Sequence, residues 1–441
     1  MSPQQRPSPA SEITDGGRAA PAQPPWLVQP MTIHIAQDQR YSCLLCGRCC
    51  RRFHVLLQEP EIQRLAALPW DKADQAPRDF HVKLNGYNFF RRRDDGACVF
   101  LDAAGVCSMH RRFGFDIKAL TCRGYPFNFA STFPGEVSVL ARMDCPAVLQ
   151  NHGQLIREQR HDIEKLAREL HFGKGFTPEQ LQGLERRSVE MLRDHCQGIV
   201  RDDTLSSDGM ALLLMAFAER MEKLGATFIN DADTMRSVMP SVMANLKQEL
   251  ADVPQIGLGA YDRAYFRQWF TIYCRRDEEA TDRGLRQRLR RALIIARIIA
   301  GGGNLRTFGK EHPDLLLRRA SIFTPTRWQP SAPAAWDAYR RFLSARLDCL
   351  QFFGVSYYGA AFFTGLKALF LTYPLVLCAA RIHAASQKRT QIQADDVMYG
   401  VAAIDHVHGR SPLLQYKAGR HLEHFFSTER FPQLLCSLGK R

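Results

Sequence analysis

Cys43-Leu-Leu-Cys46-Gly47-Arg48-Cys49-Cys50 places four cysteines within eight residues. A C-x2-C turn lets two sulfurs converge on one ion, and Gly47 permits the tight backbone that thiolate ligation needs. Four more follow at Cys98, Cys107, Cys122 and Cys145, so eight of the thirteen cysteines in this 441-residue chain fall within residues 43–145. Free thiols used only as core residues would be scattered. The clustering instead predicts bound metal, with short strands and turns carrying the later cysteines where metal bonds replace a large core.

The predicted metal ligands are Cys43, Cys46, Cys49, Cys50, Cys98, Cys107, Cys122 and Cys145, and the predicted cofactor is an iron–sulfur cluster or zinc. Zinc would fill two tetrahedral four-thiolate sites with these eight. An iron–sulfur cluster takes four and leaves the rest structural or at a second centre. Both remain open on sequence. Adjacent side chains diverge in most backbone conformations, so Cys49 and Cys50 are expected to serve different centres or roles. Arg48, Arg51 and Arg52 are expected to offset the thiolate charge and lower the thiol pKa values. His110, beside Arg111-Arg112, reads as a neighbouring group rather than a ligand. No catalytic residue is identified.

Length favours more than one domain. Residues 1–25, rich in Pro, Ala, Gln and Ser, lack the apolar segment of a secretory signal and read as a disordered tail. A cytoplasmic location follows, where clustered cysteines bind metal more often than they form disulfides. Residues 26–150 form the expected cysteine-cluster domain, with strands at 26–35, 53–57 and 137–143 and two more flanking a turn at 102–105. Glu59 to Leu68 reads as a helix with Pro60 in its first turn. Residues 151–441 read as an irregular helical domain, making the fold mainly α. Thr177-Pro178-Glu179-Gln180 is a capping box opening a helix to about Cys196. Further helices are expected at about 208–224, 231–250, 260–275, 283–300, 333–353, 357–382 and 394–408, with Gly409 and Pro412 ending the last.

A formal charge of +14, carried partly by Arg91-Arg92-Arg93, Arg275-Arg276 and Arg288 to Arg291, favours an acidic protein as partner or substrate. Nucleic acid is not favoured, since no basic stripe interleaves with stacking aromatics. No uninterrupted apolar run reaches the about 18–20 residues of a membrane span. The nearest, Leu366 to Ile382, contains Lys367 and Pro374 and reads as a core helix. Gly301-Gly302-Gly303-Asn304 through Lys310 has the wrong spacing for a phosphate loop. No dinucleotide fingerprint, nucleophile elbow or zinc-protease motif is present. His406 and His408 are two apart and share no helix face, so they read as a cationic helix end. Cys196, Cys274, Cys349, Cys378 and Cys436 read as core thiols, and the aromatic run 352–363 as core. Oligomeric state is left open.

Cys43-x2-Cys46-Gly-x-Cys49-Cys50, Cys98-Val-Phe-Leu…Gly105-x-Cys107-Ser-x-His110 and Cys122-Arg123-x-Tyr125-Pro126-Phe127 together resemble the YkgJ-type cysteine-cluster family of the CxxCxxCC class. The resemblance covers roughly residues 40–130. It implies zinc or iron chelation by Cys43, Cys46, Cys49, Cys50, Cys98, Cys107 and Cys122, without fixing the metal or a reaction. A looser likeness, carried by chain size and Asp395-Asp396-Val…Ile404-Asp405-His406, is to flagellin lysine N-methylases, which join a similar cluster to a helical C-terminal region. That likeness implies, as an alternative, an iron–sulfur-dependent protein-modifying enzyme.

Overall fold

A computed structural model describes residues 31–70, 79–84, 86–170, 172–173, 175–251, 256–274, 284–309, 311–427 and 430–439. The expected tail 1–25, positions 26–30 of the first expected strand, Arg275-Arg276 and Lys310 lie outside the described residues.

The strands are β1 (Thr32–Ile35), β2 (Arg40–Tyr41), β3 (Leu56–Leu57), β4 (His81–Leu84), β5 (Tyr87–Phe90), β6 (Phe127–Ser131), β7 (Glu136–Ala141) and β8 (Gln154–Leu155). In the first sheet β7 lies between β1 and β6, parallel to β1 with Ile33 opposite Val137, and antiparallel to β6 with Phe129 opposite Val139. The second sheet runs β3-β5-β4, all antiparallel, and β2 pairs with β8.

Among and just after these strands lie short helices: α1 (Arg48–Arg52), α2 (Glu59–Ala66), α3 (Ser108–Phe113), α4 (Leu120–Gly124), α5 (Pro146–Leu149) and α6 (Arg160–Arg168). The remainder is helical: α7 (Pro178–Leu181), α8 (Arg186–Arg201), α9 (Ser207–Asn230), α10 (Ala232–Ala251), α11 (Ala260–Tyr273), α12 (Leu285–Ile299) and α13 (Leu317–Ala320). Then follow α14 (Asp337–Asp348), α15 (Phe362–Phe370), α16 (Thr372–Ser386), α17 (Ala394–Val407), α18 (Lys417–Phe426) and α19 (Arg430–Leu438). The fold is thus mainly α, with its strands in the first part of the chain.

Two hydrophobic cores organise these elements. The smaller gathers Val55, Leu57, Ile62, Leu65, Phe80, Phe90, Phe100 and Met109 around Cys98, with Cys50, Cys107 and Cys122 packed against it. The larger joins the β1-β7-β6 sheet to the helices and contains Ile35, Val139, Met143 and Cys145 alongside Val189, Trp269, Phe342 and Val397. Cys145 therefore packs with the helical layer, while Cys50 of α1 packs against the smaller core.

Several local expectations change. The capping box at Thr177 forms, but its helix stops at Leu181, because Gln182 (φ 54) and Gly183 (φ 79) turn left-handed. A new helix starts at Arg186, so Val189, Leu192 and Cys196 of the expected stripe belong to α8 and Leu184 lies in the connection before it. The expected strands around residues 98–107 reduce to single bridges, Arg92 opposite Cys98 and Leu101 opposite Cys107. Of 53–57 only Leu56–Leu57 pairs. Helices α18 and α19 follow Gly409 and Pro412, which end α17 without ending the fold. The stretch Phe362–Ser386 has the length and hydropathy of a membrane span, but its most apolar 18-residue window is 89% buried inside the protein, the place of a core helix pair.

One buried acid sets a pH dependence. Glu423 on α18 accepts hydrogen bonds from the hydroxyls of Tyr273, at 3.1 Å, and Tyr357. Burial outweighs those bonds and pushes its pKa from the ordinary 4.5 up to about 7. Between these values the folded protein keeps a proton that the unfolded chain has released. Stability should accordingly decline as pH rises through that window, by about 3 kcal/mol in all, and level off above it. Denaturant titrations from pH 4.5 to 8 on the native chain and on Glu423→Gln check this. The variant should lose this contribution to the slope, and an unchanged slope would refute the assignment.

Candidate metal centre

The vicinal cysteines sit on a single helical turn. Gly47 caps α1 with φ 63, and the turn closes through Arg51 N–H to Gly47 O (3.2 Å) and Phe53 N–H to Cys49 O (3.0 Å). This conformation brings Cys49 Sγ and Cys50 Sγ to 3.9 Å. Four sulfurs about 2.3 Å from one tetrahedral ion lie about 3.8 Å apart. The pair therefore has the spacing of two ligands on one ion, and the expected divergence does not occur. Helical backbone at both residues removes the alternation that would have separated them.

The surrounding hydrogen bonds hold the later cysteines against this turn. Cys98 N–H donates to Cys50 O at 2.8 Å, tying the 98–107 loop to α1. Cys107 caps α3, and Ser108 N–H donates to Phe100 O at 2.8 Å, folding that loop back on itself. Glu61 accepts from Leu120 N–H at 2.7 Å and so docks α4, which carries Cys122, on α2. Arg123 clamps α4 to Glu169 through two bonds of 2.7 and 2.6 Å. Cys145 caps α5. Cys43 and Cys46 are exposed, and Cys43 Sγ accepts from Leu45 N–H at 3.4 Å. His110 places its ring against Phe115, 5.7 Å away.

The electrostatics define two neighbourhoods. Cys98 is pushed up to about 11 by burial, with Cys107 and Cys49 adding repulsion; burial also pushes Cys122 up, and the same set with Cys98 adds to it. Cys145 rises to about 11, again mainly through burial, with Asp144 and Cys49 contributing. Tyr41 is raised by burial and then by the charges of Cys43, Cys145 and Cys49. Cys49 belongs to both neighbourhoods. Its own pKa rises first through the hydrogen bond with Cys50 and then through burial.

The expected lowering by the arginines is thus reversed at Cys49, Cys98, Cys122 and Cys145. Burial leads at Cys98, Cys122 and Cys145, and the Cys50 hydrogen bond leads at Cys49. The arginines point elsewhere: Arg51 to Asp95 at 3.6 Å, and Arg48 and Arg52 to Glu311 at 3.9 and 3.8 Å. Packed thiols that repel one another as thiolates are the donor set that a multivalent cation relieves. All thirteen cysteines are free of disulfides.

On its other side α1 faces a cleft of about 270 Å³, with Arg48 and Arg52 on one wall and Glu311, His312, His383 and Tyr399 opposite. His312 Nε2 is 2.9 Å from Cys274 O, and its Nδ1 is 2.7 Å from Tyr399 Oη. A neutral ring that donates to the carbonyl accepts from the tyrosine. His383 Nδ1 donates to Asp396 at 2.7 Å and its ring stacks on Tyr399 with centroids 4.8 Å apart. These residues carry no motif spacing, and four chain segments supply them. Only a register of tertiary contacts could have found them.

A buried polar network backs the Cys145 segment. Asp405 on α17 accepts from Met143 N–H at 2.7 Å and pairs with Arg346 at 2.5 Å, while Asp144 pairs with Arg142 and lies 2.9 Å from His406 Nδ1. His406 is therefore a buried partner of Asp144. His408 is pushed well below its ordinary pKa by burial and by Arg346 and Arg410, so it is neutral. The expected cationic helix end is replaced by neutral burial at His408. Cys196, Cys274, Cys349 and Cys378 are buried, as core thiols should be.

Gly47 offers a direct check on α1. A Cβ there would meet Leu101 Cδ1 at 2.9 Å and Gly105 O at 3.1 Å, on top of the positive φ. Gly47→Ala should cost about 1–2 kcal/mol and reduce bound metal, read by thermal melts and elemental analysis. Wild-type values for both would show that the turn tolerates a side chain.

Residues 42–147, which include all eight clustered cysteines, match the model of the CxxCxxCC family, described as a candidate zinc- or iron-chelating domain. No curated protein and no solved structure matches the chain.

Proposed function

We propose that this protein is a metal-thiolate protein whose Cys49 and Cys50 share one tetrahedral ion. The 3.9 Å separation of their sulfurs carries the reading. Cys98, Cys107 and Cys122, gathered at the small core, are further donors on that side, and Cys43, Cys46 and Cys145 supply the remainder. The sulfur spacing favours zinc, or the two-iron cluster in which each iron takes two thiolates, over a cubane that takes one thiolate per iron. Zinc would cross-link the short loops of the small core, and an iron–sulfur centre would add electron transfer. The protein's part is to hold the sulfurs together before metal arrives: α1 sets the vicinal pair, the Cys98–Cys50 backbone bond adds the second segment, and the Arg123–Glu169 clamp fixes α4.

Anaerobic purification followed by elemental analysis and an optical spectrum tests this. Stoichiometric zinc in a colourless protein, or iron with broad visible absorbance, supports it. Protein isolated folded with neither metal, and unable to take up either, refutes it.

A further inference from the structure

A cleft of about 840 Å³ opens between α9, the proline-rich loop 325–333 and α16. Its walls are largely apolar, with Leu212 and Leu213 from α9, Trp328 and Trp336 from the loop side, and Leu377 from α16. Into it reaches Arg381, 3% exposed. Its Nη1 donates to Ile322 O at 2.6 Å and its guanidinium lies 5.2 Å from the Trp328 ring.

Those contacts leave the cation incompletely served. Nε has no hydrogen-bond partner, and Nη2 has no acceptor among the described residues. No carboxylate among them lies within ion-pair distance of the guanidinium. Asp208, the acid in the same cleft, accepts from the Tyr373 hydroxyl at 2.6 Å. Burial lowers the Arg381 pKa to about 10. Asp208 attracts the guanidinium only through space. A buried guanidinium without a direct ion pair is costly, and a carboxylate is the group its planar fork matches. The volume falls within the range of small-molecule sites, and largely apolar walls with a few polar groups are their usual make-up. Here the charged lining residues are Arg381, Lys247 and Asp208.

We propose that this cleft binds an organic monocarboxylate with an apolar body, its carboxylate on Arg381 and its body among Trp328, Trp336 and Leu377. This site is separate from the cysteine centre: Arg381 faces it, whereas His383, two residues on, faces the cleft beside α1.

Sodium decanoate below its micellar concentration is the probe, with decan-1-ol as the neutral match, titrated calorimetrically and by tryptophan fluorescence into the full chain. Decanoate should bind saturably and at least about tenfold more tightly than the alcohol, the worth of a charge-assisted contact. Arg381→Gln should remove that preference while leaving alcohol binding in place. The acid-to-alcohol ratio on the native chain stands as a test even if the variant fails to fold. Absence of saturable decanoate binding, equal affinity for acid and alcohol, or an unaltered preference in a folded Arg381→Gln would overturn the proposal.

Discussion

Cys49→Ser and Cys50→Ser should lose the same metal and fall in stability together. Both sulfurs have the spacing of one tetrahedral edge, so removing either opens the same coordination shell. Binding and folding of such a site are coupled, because the short loops around Phe90, Phe100 and Met109 have little core beyond it. The expected loss is on the order of several kcal/mol, with matching metal deficits. Anaerobic metal counts and thermal melts on both variants decide it. One variant keeping full metal and a wild-type melt would show that the sulfurs serve different centres, and the shared-ion assignment would fall.

Arg346→Met should be the most damaging change away from the cysteines. Arg346 and Asp405 form a pair at 2.5 Å with side chains 3% and 1% exposed. Burial alone would raise the Asp405 carboxyl, and Arg346 with Arg410 overcomes it and holds the pKa below its ordinary value. Without Arg346 the carboxylate remains buried beside Met143 N–H, with Arg410 at 3.7 Å as its remaining cation. Breaking a buried pair from one side costs about 3–5 kcal/mol. Chemical denaturation should show a loss of that size, and adding Asp405→Asn should recover part of it, since the stranded charge is then gone. A loss within about 0.5 kcal/mol, the level of an ordinary surface substitution, would mean that Arg410 and solvent replace Arg346 fully.

The metal-binding character was legible in sequence because four cysteines in eight residues leave no other economical use for the thiols. Gly47 was legible as a backbone requirement, and the structure gives it φ 63 at the cap of α1. The long helices α9 to α12 and α17 were legible from their apolar period, and the end of α17 from Gly409 and Pro412. The break after Leu181 was misread because Gln182 carries the left-handed turn, where sequence reasoning looks first for glycine or asparagine.

The sequence by itself determined the clustering of the cysteines, the helical character after the cysteine region and the core role of residues 366–382, because these depend on residue type and on spacing along one segment. Only the tertiary structure decided how the thiols are placed relative to one another. The convergence of Cys49 and Cys50 depends on α1 being helical, and the placing of Cys145 depends on the larger core. The cleft of His312, His383 and Tyr399, and the unpaired guanidinium of Arg381, are meetings of distant segments. Their partners are fixed by packing, and no local pattern encodes them.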